Sequence, residues 1–166
     1  MKFCPTDGGR SKYFKGEAGD CVTRSIALAA GLDYKTVYDE LKKMMGKGKS
    51  PRNGVPKKIY HKYILDLGFE WIPYMGIGTG CRVKLGSDAL PSGTMICRLS
   101  KHLCCVKDHI IYDTYHPGCN RCVYGVYLNE FENMEEILEK FKDILSVYHP
   151  NKKVKLYYFA KEQGII

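Results

Sequence analysis

Several features that would narrow the field at once are missing. No apolar run approaches the length of a membrane span, so no contact with a membrane is expected. The opening Met1-Lys2-Phe3-Cys4-Pro5 runs straight into polar, glycine-rich sequence, so no secretory leader is expected either. Without one, the eight cysteines are expected as reduced thiols in core, metal or catalytic positions, in a cytoplasmic protein or, if the source is viral, in host cytoplasm or virion. Cys-x-x-Cys occurs once, at Cys119-Asn120-Arg121-Cys122, which is half of a zinc site. Cys119 and Cys122 are therefore weak metal candidates, completed only if Cys4, Cys81 or His116 approach in space. The run Gly76-Ile77-Gly78-Thr79-Gly80 has no Gly-Lys-Ser/Thr and leads into strand-like sequence, so it is not a phosphate cradle and no cofactor is expected.

Acidic residues are absent from 41–65, where Lys42, Lys43, Lys47, Lys49, Arg52, Lys57, Lys58 and Lys62 lie. These eight are the whole of the net charge of +8. Such a segment suits nucleic acid or another acidic partner, and equally a solvated surface.

What is present suffices for one domain over 1–166, since a chain of this length buries about 70% of its unfolded surface and 45% of its residues are hydrophobic. Residues 1–18, broken by Pro5, Gly8, Gly9 and Gly16, read as a loop. Helices follow from Asp20 to Gly31, with Val22, Ile26, Ala29 and Ala30 inward, and from an Asp33 cap to Met45, with Val37, Leu41, Met44 and Met45 inward. A third runs from Pro56 to Gly68. Strands are expected at 71–75, 81–85, 94–99, 101–106, 109–114 and 123–128. An acidic helix near 133–147 and a strand at 154–159 form a C-terminal addition over 129–166. The fold class is α+β, a helical half packed on a small antiparallel sheet.

Chemistry enters at Gly19-Asp20-Cys21. Asp20 is expected to cap a helix whose first residue is Cys21, where free N–H groups and the macrodipole favour a thiolate. The second feature is a hairpin. With Lys107-Asp108 as its loop, Val106 faces His109, and the register then sets Cys105 against Ile110, Cys104 against Ile111, Leu103 against Tyr112 and His102 against Asp113. An opposed carboxylate can hold an imidazole, which in turn can take a proton from a thiol. Cys21, His102 and Asp113 are thus the candidate nucleophile, base and orienting group. Cys104 shares the expected face of His102 and is the competing thiol. Cys97 and Cys105 read as core, and His61 and His149 as solvent-exposed. Glycines 76, 78 and 80, with Gly19, are candidates for a loop over the cleft.

Gly19-Asp20-Cys21-Val22-Thr23-Arg24-Ser25-Ile26-Ala27, together with Met75-Gly76-Ile77-Gly78-Thr79-Gly80-Cys81, Ser100-Lys101-His102-Leu103 and Ile111-Tyr112-Asp113-Thr114, resembles the papain-like cysteine peptidase clan. More closely, it is similar to small phage and bacterial proteins labelled C39-like. The resemblance spans about residues 16–127. It implies a papain-like fold with Cys21 as nucleophile, His102 as base and acid, and Asp113 as orienter. It also implies an oxyanion-holding glutamine a few residues ahead of the cysteine, and here the chain departs, because its one glutamine is Gln163. The Cys21 N–H remains as a donor, with Asp20, Lys15, Lys12 and Ser11 as candidates for the rest of the oxyanion site.

The expected function is cysteine-dependent hydrolysis or acyl transfer on a protein or peptide, with peptide or isopeptide cleavage first. The alternative is a catalytically inactive papain-like scaffold that binds protein or nucleic acid through residues 41–65.

Overall fold

The computed structural model describes residues 1–76 and 78–128. The expected C-terminal addition over 129–166, His149 within it, lies outside the described residues. Among the described residues no helix is long and apolar enough to cross a membrane.

Over the described residues the fold is α+β, with three α-helices and one six-stranded sheet. Helix α1 spans Cys21–Ala30 and closes at Gly31, whose φ of 65° is the left-handed cap position that glycine adopts without strain. Val22 to Ala27 and Ala29 are all buried, while Ala30, expected inward, is only half-buried. A helix covered on nearly every side belongs to the centre of a domain. Helix α2, Tyr34–Met45, begins where Asp33 accepts the N–H groups of Lys35 and Thr36, as its capping role predicts. It buries Tyr34, Val37 and Leu41, while Met44 and Met45 are half-buried. Helix α3 spans Lys57–Asp66, with Pro56 as its N-cap.

The strands are β1 Lys2–Pro5, β2 Glu70–Pro73, β3 Thr94–Leu99, β4 His102–Lys107, β5 Ile110–Asp113 and β6 Gly125–Leu128, in the spatial order β1-β5-β4-β3-β6-β2. Successive residues of the central strands enter opposite cores, as a two-residue period requires. Ile96, Leu103, Cys105 and Tyr127 pack with Val22, Ile26, Val37, Leu41 and Ile64 on the helical face. Met95, Cys97, Cys104, Val106 and Val126 pack with Tyr74, Val83, Leu85 and Leu90 on the other. The sheet is buried on both sides, which is why β3 and β4 read as continuous apolar runs.

Four expectations are corrected. Residues 1–18 are not all loop: β1 adds to the sheet edge in parallel with β5, Pro5 opposite Asp113, and Arg10–Lys12 form a 3-10 turn. Four residues ending in proline carry no visible period, and a parallel edge pairing with a strand a hundred residues away leaves no local trace. The sheet is consequently mixed, not antiparallel throughout. Residues 81–85 form no strand, and only a single bridge joins Lys84 to Cys122. There Cys81 and Cys122 form a disulfide with Cα atoms 5.6 Å apart, against the expectation of eight free thiols. The hydrogen bonds Leu85 N–H to Arg121 O and Val123 N–H to Val83 O, at 2.9 and 2.8 Å, bring the two cysteines together.

Gly125 shows how closely β6 and β2 approach. A Cβ there would sit 2.6 Å from the Ile72 carbonyl oxygen and press into the Trp71 ring. Gly125→Ala is expected to destabilise the fold by about 1–3 kcal/mol, read as a lowered urea midpoint with an unchanged m-value.

Candidate active site

Cys21 occupies the first position of α1, His102 the first of β4 and Asp113 the last of β5. Helix and strand are joined at one residue. The Ser25 hydroxyl, one turn on from Cys21, donates to the Leu103 carbonyl at 2.9 Å, and the Leu103 N–H donates back to the Cys21 sulfur. That two-way tie sets the thiol against the imidazole of His102, to which it is hydrogen-bonded.

His102 and Asp113 meet, though in a register two residues from the expected one. Cys105 faces Tyr112 and Lys107 faces Ile110, so the hairpin loop is Asp108-His109, not Lys107-Asp108. Both loop residues have positive φ, 46° and 60°, the geometry of a two-residue turn that follows strand twist. A slip of two keeps every side chain on its face, so Asp113 becomes the diagonal neighbour of His102 and still reaches it. Asp113 Oδ2 lies 2.5 Å from His102 Nε2. The ring's other nitrogen, Nδ1, remains for the thiol, with the Tyr115 hydroxyl 3.4 Å away.

Behind this trio stands a buried ionic cluster that the sequence reading missed. Asp113 Oδ1 accepts the Thr114 N–H at 2.7 Å and lies 3.5 Å from Arg24. Arg24 also binds Asp20, and Asp20 further engages the Tyr34 hydroxyl and Arg10, the latter at 3.2 Å. The Asp20 carboxylate is therefore not the helix cap it was expected to be, and it has nothing to donate to an oxyanion. Its pull toward two guanidiniums outweighs a bond to the first-turn N–H groups. Arg10 in turn gathers the Phe14, Lys15 and Gly16 carbonyls, folding the N-terminal loop beside Cys21. The available signal was Asp20 and Arg24, four apart in a helix otherwise of small and apolar residues.

Electrostatics follow from these contacts. Burial pushes the Cys21 thiol up, but the hydrogen bonds from His102 and Leu103 and the charges of His102 and Arg24 outweigh it and leave the thiol below its usual range. Burial lowers His102, yet its bonds to Asp113 and Cys21 and their charges raise it to about 9. The two shifts run in opposite directions, and both favour the charged form of the pair. The competing thiols differ. A hydrogen bond to Cys97, then burial, holds Cys104 well above the thiol range, and burial pushes Cys105 up to about 12.

Cys21, His102, Arg24 and Tyr115 line a cleft of about 900 Å³ with Gly19 and Lys15. Lys15 is exposed, and its carbonyl rather than its ammonium has a partner there, Arg10. Gly76, Gly78 and Gly80 do not line this cleft, and Gly76 belongs to a separate pocket. Cys122 is taken by Cys81, and Cys119 has His116 at 3.9 Å. Among the described residues no three metal-ligating side chains converge. His61, expected exposed, is half-buried and bonds the Tyr127 hydroxyl at 2.9 Å. The lysines at 42, 43, 47, 49, 57 and 58 and Arg52 are exposed, and Arg52 donates to the Glu17 carbonyl on the rim of the cleft at 3.3 Å. No protein-family model, curated protein or solved structure matches the chain.

Asp113→Asn keeps the shape of the carboxylate and removes its charge. The His102 ring is then expected to titrate more than one unit below about 9, followed by NMR of the imidazole protons. An unchanged titration would mean that Asp113 does not set the ring's charge.

Proposed function

We propose that the chain is a cysteine-dependent hydrolase or acyl-transferase of papain-like architecture, acting on a peptide or isopeptide bond. The observation that carries this reading is the hydrogen-bonded contact of Cys21 with His102, with Asp113 behind the ring. The Cys21 thiolate attacks the substrate carbonyl carbon, and a C–S bond forms as the carbonyl electrons move to oxygen. The Cys21 N–H, unpaired within the helix at its first position, points a donor at that oxyanion. Collapse breaks the C–N bond as His102 gives its Nδ1 proton to the leaving amine, and a thioester remains on Cys21. Water, or an acceptor amine, then loses a proton to His102 and attacks the thioester, and the thiolate departs. Asp113, bonded to Nε2, stabilises the imidazolium.

The cleft is lined by charged side chains as well as apolar surface. It carries Lys15, Lys101 and Glu17 at its mouth, with the guanidiniums of Arg10 and Arg24 already engaged deeper in.

Thiol chemistry tests the reading without a known substrate. At pH 6 iodoacetamide is expected to alkylate Cys21 at least tenfold faster than any other cysteine, mapped by peptide mass spectrometry, and His102→Ala should abolish that preference. Equal rates across the free thiols would sink the proposal. The pH dependence separates two steps. Alkylation needs only thiolate, so it should rise through the lowered Cys21 value and then stay level. Acyl transfer also needs the protonated ring, so turnover of a peptide ester should rise on the same limb and fall again through about 9.

A further inference from the structure

An oxyanion forming on Cys21 calls for a second donor beside the Cys21 N–H, and the one glutamine of the chain, Gln163, does not precede that cysteine. Most polar side chains around the cleft are already committed. Arg10 and Arg24 are occupied by Asp20, Asp113 and loop carbonyls, and the Ser11 hydroxyl by Asp7. Thr114 Oγ1 turns back to Asp113 at 3.5 Å. Lys15 and Lys101 are exposed at the mouth, and among the described residues no ion pair holds either ammonium over the sulfur.

Tyr115 differs from all of these. It follows β5 two residues past Asp113, and its ring lies against that of His102, with centroids 5.3 Å apart and planes tilted by 39°. Its hydroxyl is 3.4 Å from Nδ1, the ring nitrogen left for the thiol. The side chain is 51% exposed and lines the Cys21 cleft, so a substrate can reach the hydroxyl. Burial, then the Asp113 charge, raises the phenol above its usual range, so it remains a donor across the pH range of turnover. When Nδ1 carries a proton, the Tyr115 oxygen can accept it, which leaves the O–H to donate elsewhere. A carbonyl carbon bonding to the Cys21 sulfur enters beside Nδ1, where that O–H stands.

We infer that Tyr115 is a further catalytic residue of the Cys21 site, its hydroxyl donating together with the Cys21 N–H to the oxyanion of the tetrahedral intermediate. This role rests on the hydrolase or acyl-transferase reading of the same site. As the C–S bond forms, the carbonyl electron pair moves to oxygen and meets the two donors. When the pair returns and the leaving group departs, the Tyr115 hydroxyl is released. Its proton stays on its own oxygen throughout.

Tyr115→Phe, at a half-exposed position where folding is not at stake, keeps the ring against His102 and removes only the donor. The probe is N-acetylglycine p-nitrophenyl ester, whose phenolate leaves without a proton, so a lost general acid cannot mimic a lost oxyanion donor. The p-nitrophenolate burst that Cys21→Ser lacks should slow at least tenfold in Tyr115→Phe, with half-saturation within about twofold and the rising pH limb unmoved. Iodoacetamide alkylation of Cys21 passes through no oxyanion and should change less than about twofold. The His102 ring should still titrate near about 9 by NMR. An undiminished burst overturns the inference while leaving the hydrolase reading standing. So does a loss that alkylation shares, or one accompanied by a moved pH limb or ring titration, since a merely structural tyrosine would act through the thiol and the imidazole. If the parent chain gives no Cys21-dependent burst, or iodoacetamide shows no preference for Cys21, the hydrolase reading falls and this role falls with it.

Discussion

The contact on which the rest depends is the bond from Arg24 to two carboxylates, Asp20 before its own helix and Asp113 at the end of β5. Both carboxylates are buried, and an unpartnered ionised group in such a place costs several kcal/mol. Arg10 and Arg24 together offset Asp20 and Asp113 beside the Cys21 and His102 pair. Geometry and electrostatics are then one arrangement. The guanidinium that fixes the start of α1 also holds the carboxylate that orients the ring facing Cys21.

Around that cluster the structure uses the sheet as a partition. Helices α1 to α3 cover one face, and the segment from Tyr74 to Leu90 covers the other, tied to residues 119–123 by backbone hydrogen bonds and the Cys81–Cys122 disulfide. The cysteines accordingly occupy unlike environments. Cys97, Cys104 and Cys105 serve as compact apolar filling in the sheet, whereas Cys21 sits half-buried where a helix start, a strand start and a cleft coincide.

Much of this was legible in the sequence because the signals were local. The Asp33 cap, the Gly31 stop, the apolar runs of β3 and β4 and the pairing of His102 with Asp113 each follow from a few neighbouring residues. The hairpin register was read two residues out, since Asp108-His109 demands two positive φ values and histidine seldom advertises one. The error preserved the face, which is why the ring and carboxylate still meet. Long-range features left no trace. Nothing near Lys2-Phe3-Cys4-Pro5 announces a parallel partner at 110–113, and nothing at Arg10 foretells that its guanidinium organises three loop carbonyls. Asp20 was recognised as a helix start but assigned the wrong bond, because propensity weighs backbone donors and cannot see an arginine arriving from elsewhere.

The order of the parts along the chain carries a temporal consequence. Cys21 leaves the ribosome long before His102 and Asp113 have been made, and β1 waits for β5, the strand it must lie beside. Pairings so distant close late, after the loop entropy between them has been overcome. Until then the sulfur stands in a partly formed helix without the imidazole and carboxylate beside it, and the cluster is assembled only as the last central strands come together.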